Sequence, residues 1–307
     1  MRSLALSGGG AQGLYTAHIL ARFEEHFIEN FDLVAGTSIG AALASGLVWG
    51  WAPKNLLELF ESNVSEIFPQ SFVPHPEVGR LWKASQGVNK PRYQVGLWKE
   101  LLQEILGDAR FGEAPFNLLI PAIRLEDAQL VRFCSWKPEH QEYKVVDLVL
   151  ASSAAPTYFP IHRLSDGVSY VDGGMSSNAP DMLALTEMVC DFDVSVKDIE
   201  MLSVGTGSSN PYIPSDDGVD WGLRQWVANE KISDLSMAIT QNTPLTLVKD
   251  WLGERHVRID TCPSMQERNH LGLDGACDKA KATLKRLAHE TDTSHVPLFF
   301  GRQVPKM

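Results

Sequence analysis

Apolar positions in the first fifty residues fall into two short runs, each closed by glycines and followed by a stretch of small residues. Leu4-Ala5-Leu6 leads into Ser7-Gly8-Gly9-Gly10-Ala11-Gln12-Gly13, and Phe31-Asp32-Leu33-Val34-Ala35 leads into Gly36-Thr37-Ser38-Ile39-Gly40. Short apolar runs bounded by glycine predict buried strands, and the Ala- and Leu-rich stretch from Ile39 to Val48 predicts a helix packed behind a sheet. The same reading predicts strands at 3–6, 32–35, 118–123, 129–134, 168–171, 201–204 and 256–259. Helices are predicted near 11–27, 39–49, 54–62, 96–106, 145–151, 181–191, 223–241 and 277–289. Strands that alternate with helices make an α/β protein. The stretch 208–222, with its Pro, Asp and Gly, reads as a surface loop able to fold over a site.

The glycines carry the first chemistry. In Gly36-Thr37-Ser38-Ile39-Gly40 the two glycines flank Ser38 at the spacing that lets a strand reverse sharply into a helix and project a serine hydroxyl outward. Ser38 is therefore a candidate nucleophile. Gly8, Gly10 and Gly13 also spell the dinucleotide-binding fingerprint, which needs an acidic residue closing the second strand. Asp32 opens that strand instead, and its end is taken by the Ser38 turn, so a dinucleotide cofactor is disfavoured and none is expected. What remains is a run of backbone N–H groups at Gly8, Gly9 and Gly10, at the start of a helix and suited to a developing negative charge. Later, Ser169-Tyr170-Val171-Asp172 ends a strand-like run just before Gly173 and Gly174. Asp172 is a candidate base by that placement, and an ordinary turn aspartate by the same placement.

Composition narrows the class. The chain has 307 residues, 44% hydrophobic and 21% charged, enough for one large α/β domain, with the motifs in 1–207 and helices and a strand in 208–307. Its four cysteines show no C-x-x-C spacing, which points to reduced thiols and away from zinc or a disulfide framework. No acidic cluster has calcium-loop spacing; Ser215-Asp216-Asp217-Gly218 with Asp220 is too short and lacks a closing Glu, so no metal is expected. No apolar run approaches the roughly 20 residues of a membrane span, and the N-terminus leads straight into a strand, so a cytoplasmic protein is expected. A net charge of −11 argues against nucleic acid as a partner. Locally the sign reverses: Arg80, Lys83, Lys90, Arg92 and Lys99 lie among Trp82, Tyr93 and Trp98 with no Asp or Glu. Cations beside aromatic rings suit a lipid interface or another anion, with Trp49 and Trp51 extending the apolar rim; the alternative is a loop whose aromatics plug the core.

Taken together and in order, SGGGAQG, GTSIG, Ala151-Ser152-Ser153-Ala154-Ala155-Pro156-Thr157-Tyr158-Phe159, Asp172-Gly173-Gly174, Asn178-Ala179-Pro180 and Ser203-Val204-Gly205-Thr206-Gly207 resemble the patatin-like phospholipases. The resemblance runs to about Gly207 and includes the spaced leucines from Tyr93 to Asp108. It implies a three-layer α/β/α sandwich with a central, mostly parallel sheet. It also implies a Ser38–Asp172 dyad without histidine, an oxyanion hole at Gly8, Gly9 and Gly10, and supporting turns at Gly13, Gly36, Gly40, Gly173 and Gly174. The implied substrate is the acyl ester of a membrane glycerophospholipid, met at the inner face of the membrane. Some bacterial members of the family are antiphage effectors switched on by cyclic nucleotides, and this chain resembles them in being short and compact, which implies such an activator here, with Arg80, Trp82, Lys83, Lys90 and Arg92 as the anion- or lipid-binding candidates. Two residues depart from the family: Gln12 stands where an arginine is usual, and Ser7 where an Asp or Asn-like residue is usual. An ordinary aspartate is a weak base at neutral pH, so most of the barrier reduction is expected from the backbone amides. The rival enzyme is an α/β-hydrolase completing a triad with His256 or His270, and the rival non-enzyme is a lipid- or nucleotide-sensing module.

Overall fold

The computed structural model describes residues 1–69, 90–207 and 231–296, together with Asp220, Gly222 and Trp226. Its strands are β1 (Arg2–Leu6), β2 (Leu33–Gly36), β3 (Asn117–Arg124), β4 (Gln129–Cys134), β5 (His162–Arg163), β6 (Ser169–Asp172), β7 (Glu200–Val204) and β8 (His256–Ile259). They form one sheet in the order β5-β6-β3-β2-β1-β7-β8, with β4 on the other edge of β3. The run β3-β2-β1-β7-β8 is parallel throughout, while β4, β5 and β6 enter antiparallel. The helices are α1 (Gly13–Leu20), α2 (Ile39–Val48), α3 (Pro53–Ile67), α4 (Gly96–Leu106), α5 (Val145–Ser152), α6 (Gly174–Ser177), α7 (Asp181–Cys190), α8 (Lys231–Leu252), α9 (Met265–Arg268) and α10 (Asp278–Glu290).

Period-two alternation sorts the strand residues onto two faces. Leu4, Leu6, Val34, Leu118, Ile120, Leu202 and Val204 join the core beneath α1–α5 and α10. Their neighbours Ala5, Leu33, Ala35, Leu119 and Met201 join a second core beneath α7 and the end of α8. Helices on both faces of a mostly parallel sheet are the expected three layers. The helix boundaries differ most in two places. The first helix stops at Leu20, because Phe23, Phe27 and Phe31 turn inward to pack on one another and the chain passes through a 3₁₀ turn at Phe27–Asn30. The helix expected at 223–241 is described from Lys231 and runs on to Leu252, where Val248 and Leu252 are buried in the second core.

One consequence of the register builds the site. β3 pairs with β2 through Asn117–Leu119 and with β6 through Ala122–Arg124, while β4 occupies the opposite edge at both Leu119 and Ala122. So β2 and β6 lie end to end along one edge of β3, and because they run in opposite directions their C-terminal ends face each other. The residues that leave those ends are Ser38 and Asp172.

Candidate active site

Ser38 sits between β2 and α2 with φ 55° and ψ −122°, a backbone conformation that L residues avoid and that costs on the order of 1–3 kcal/mol. The turn closes this tightly because its glycines lack side chains: a Cβ on Gly36 would strike the Gly40 carbonyl, and one on Gly40 would strike the carbonyls of Leu6 and Ser7. Three hydrogen bonds hold the strained peptide. The Thr37 N–H donates to the Leu6 carbonyl at 3.1 Å, the Thr37 hydroxyl to the Ser177 carbonyl at 2.8 Å, and the Ser38 N–H to Ser152 Oγ at 3.0 Å.

Asp172, 3% exposed, ends β6, and its Oδ1 accepts the Gly174 N–H at 2.6 Å. Burial pushes its carboxyl up from 3.8 to about 7, against the downward pull of the Gly174 N–H and of the neighbouring Ser38 hydroxyl. The expectation of an ordinary, weakly basic aspartate is corrected here: a carboxylate that titrates near neutrality is matched to proton transfer at neutral pH. Ser152 and its neighbours act as a jig for both side chains. Besides receiving the Ser38 N–H, Ser152 offers its carbonyl to the Gly173 N–H at 3.2 Å, and Ala154 offers its own to the Asp172 N–H at 3.1 Å. In the sequence this segment shows only its small residues; its function depends on pairing across more than a hundred positions.

The glycine loop leaves β1 beside Ser38. Gly8 is corrected as an oxyanion donor, because its N–H is already engaged by the Asn178 carbonyl at 2.9 Å. Among the described residues the N–H groups of Gly9, Gly10 and Ile39 have no partner, and all three residues line the same cavity as Ser38. Gly10 has φ +56°, and a Cβ there would strike the Leu273 carbonyl, which accepts the Ala11 N–H at 2.7 Å. A Cβ on Gly13 would strike Ile39, so α1 packs directly on the start of α2. Asn178 Nδ2 donates to the Gly8 carbonyl at 3.2 Å and to Gln241 Oε1 at 2.9 Å, which ties the loop to α8.

Ser38 and Asp172 open into a cavity of about 270 Å³ walled by Phe60, Ile67, Phe68, Trp98, Tyr158, Phe159 and Met237. Ligand cavities are commonly apolar with a few convergent polar groups, as here. Tyr158 and Phe159 close the 151–159 motif and Trp98 lies in the 93–108 stretch, while Phe60, Ile67, Phe68 and Met237 come from segments that carry no motif. Trp98 and Tyr93, for which the sequence left a lipid interface and a core plug both open, are buried: Trp98 Nε1 donates to Ser153 Oγ at 3.1 Å, and Tyr93 packs edge-on to Phe68. Arg92 stacks 4.7 Å over the Tyr158 ring and lies 3.7 Å from Asp274, so its guanidinium serves inside the fold. Lys90 is exposed, and Arg80, Trp82 and Lys83 lie outside the described residues. Trp51 Nε1 donates to the Ile105 carbonyl at 2.9 Å and packs with Trp49 against the core, away from the cavity wall. Among the described residues no histidine lines the cavity. His256 pairs with buried Asp181 at 2.8 Å, and His270 Nε2 lies 2.9 Å from the Thr283 hydroxyl. Among the described residues no helix is long and apolar enough to cross a membrane, and no group of three His, Cys, Asp or Glu could hold a metal ion.

A family model described as patatin-like phospholipase matches residues 4–185, from β1 into α7. A cGAMP-activated phospholipase of Vibrio cholerae is 30% identical over an alignment covering 99% of this chain and 95% of the relative. One from Pseudomonas aeruginosa is 32% identical, covering 92% of this chain and 85% of the relative. Among solved structures, VipD from Legionella pneumophila is similar with a TM-score of 0.44 and 16% identity, covering 93% of this chain and 66% of that chain.

Proposed function

This chain belongs to the patatin-like phospholipase family, and from that premise we propose that it hydrolyses acyl esters of membrane glycerophospholipids with Ser38 as nucleophile and Asp172 as the sole general base. One observation carries the reading: the strained Ser38 and a buried aspartate titrating near 7 share the floor of one apolar cavity. Asp172 accepts the hydroxyl proton as Ser38 Oγ attacks the ester carbonyl carbon. The tetrahedral oxyanion is held by the unpartnered N–H groups of Gly9 and Gly10 and by the start of α2 at Ile39, each donor worth about 3 kcal/mol in such sites. Collapse breaks the ester bond, and the departing alcohol, a lysophospholipid, takes the proton from Asp172. Water then attacks acyl-Ser38 with Asp172 again as base, releasing the fatty acid and restoring Ser38.

Phe68, Trp98 and Phe159 give the acyl chain an apolar wall, and burial of each methylene favours a long chain by about 0.8 kcal/mol. The engagement of His256 with Asp181 and of His270 with Thr283 speaks against a triad. The relatives named cGAMP-activated phospholipases support a cyclic-nucleotide activator and a role in antiphage defence for this chain as well.

The test is a serine-directed fluorophosphonate. Covalent labelling of Ser38, lost in Ser38→Ala, together with release of fatty acid from phospholipid vesicles on addition of cGAMP, is the expected result. A chain that stays unlabelled with and without cGAMP is a sensing module, and loss of labelling in the folded double variant His256→Ala/His270→Ala restores the triad.

A further inference from the structure

We propose that Asp274 is a positioning residue of this site, tying the wall of the acyl cavity to the glycine loop that carries the oxyanion donors. The proposal rests on the reading of Ser38 as nucleophile and of Gly9 and Gly10 as donors. Leu273 and Asp274 are the central residues of one tight turn, closed by the Gly275 N–H donating to the Gly272 carbonyl at 3.1 Å. They face different partners. The Leu273 carbonyl accepts the Ala11 N–H at 2.7 Å and abuts Gly10 so closely that no Cβ would fit there. That contact lies one peptide from a proposed oxyanion donor, so the position of the Leu273 carbonyl sets where the Gly10 N–H points.

The Asp274 carboxylate anchors the turn from the other side. Tyr93 donates its hydroxyl to Asp274 Oδ2 at 2.8 Å, and the Arg92 guanidinium lies 3.7 Å from the same oxygen, with side chains only 10% and 14% exposed. Arg92 and Tyr93 also donate their backbone N–H groups to the carbonyls of Thr157 and Tyr158, at 3.0 and 2.9 Å. Thr157 has φ +72°, an outlier for a β-branched residue, and lies between cavity-lining Pro156 and Tyr158. A continuous chain of contacts therefore runs from cavity wall to Arg92 and Tyr93, to Asp274, to the Leu273 carbonyl and to the glycine loop. Its members come from four separated segments of sequence, and the turn is the piece that joins Arg92 and Tyr93 to the glycine loop.

A residue acting this way affects the transition state and leaves ground-state binding alone. The assay is hydrolysis of a small soluble ester, with the fluorophosphonate used to titrate active Ser38 so that kcat is expressed per competent site. Asp274→Ala is expected to lower kcat per titrated serine about tenfold or more with KM changed less than twofold, since small misplacements of reacting groups are costly. Asp274→Asn, which keeps an acceptor for the Tyr93 hydroxyl, is expected to recover most of that loss. Tyr93→Phe, lacking only the hydroxyl, falls in the same direction and decides the matter alone if Asp274→Ala does not fold. An unchanged kcat per titrated serine, or a loss that appears in KM, overturns the proposal. If wild type itself titrates no serine, or Ser38→Ala turns the ester over as fast, the nucleophile assignment has failed instead.

Discussion

Asp172→Asn separates the energetic cost of the base from its use. In the folded protein burial holds the Asp172 carboxyl at about 7 against an ordinary 3.8, a displacement of about three pH units and so of about 4 kcal/mol. The sign follows from proton counting. Between those two values the folded state keeps a proton that the unfolded chain has released, so stability falls as pH rises from near 4 to near 7 and stays low above it. Asparagine has no such term, while its Oδ1 can still accept the Gly174 N–H. The variant is expected to be the more stable protein at pH 8, with its advantage over wild type growing by about 3 kcal/mol between pH 5 and pH 8. For a chain of 307 residues, at roughly 2 cal/mol/K per residue of unfolding entropy, that is about 5 °C in Tm. Paired thermal scans from pH 5 to pH 8.5 measure it, and ester hydrolysis by the same preparations should fall by at least about 10²-fold, the lower end of what a general base supplies. A Tm difference constant to within about 1 °C across that range refutes the buried, elevated carboxyl, whatever happens to activity.

The remaining expectations follow from the same geometry. For wild type on a soluble ester, kcat/KM should rise about tenfold per pH unit below 7 and level off above it, because only ionised Asp172 accepts the proton; a profile flat from pH 5 to 8 contradicts this. Ser152→Ala removes the acceptor of the Ser38 N–H and should cost about 1–3 kcal/mol of stability together with kcat, read by denaturant melts and turnover. His256→Ala should destabilise by about 3–5 kcal/mol, since it strips buried Asp181 of its partner, yet keep kcat per fluorophosphonate-titrated serine; His270→Ala should keep both. Turnover should persist in excess EDTA, and its loss with recovery on added calcium would show a metal site that the donor groups do not suggest.

Much of the fold was legible because buried strands are short apolar runs and amphipathic helices keep their own period: β4, β8 and α4 stand where the pattern placed them, the other predicted strands shift by a residue, and the two-residue β5 was not predicted. The glycine spacing around Ser38 was legible for a related reason, since steric exclusion at Gly36 and Gly40 leaves a trace in the residues themselves. What stayed hidden depends on long-range pairing. Nothing local marks Ser152 as the acceptor of the Ser38 N–H, or Asn178 as the residue whose carbonyl engages the Gly8 N–H. The elevated Asp172 carboxyl belongs to the same class, because desolvation is a property of the whole packed site. The basic stretch misled in part for the converse reason: Arg92 and Tyr93 are polar in sequence but face Asp274, a partner far along the chain whose contact no spacing rule reveals.

The departure at Gln12 gains a physical meaning from how the loop is held. The resemblance leads one to expect a guanidinium within the glycine loop; here Gln12 is buried, and the loop is fastened from outside at three points. Arg258 of β8 donates to Ser7 Oγ at 2.9 Å and to Ser203 Oγ at 2.7 Å, joining the start of the loop to β7. The Asn178 carbonyl takes the Gly8 N–H at 2.9 Å, and the Leu273 carbonyl takes the Ala11 N–H at 2.7 Å. The anchors bracket the N–H groups of Gly9 and Gly10 on both sides without engaging either. Fixing a loop at its flanks while leaving two donors unpartnered is the arrangement that electrostatic preorganisation requires, because the donors then need no reorganisation when charge develops. Ser7 fits the same scheme: a carboxylate in its place would bring a third charge to the Arg258–Asp260 pair, whereas a hydroxyl accepts the Arg258 N–H without one. The two departures thus leave the proposed oxyanion donors unengaged, with a guanidinium supplied to the start of the loop from β8.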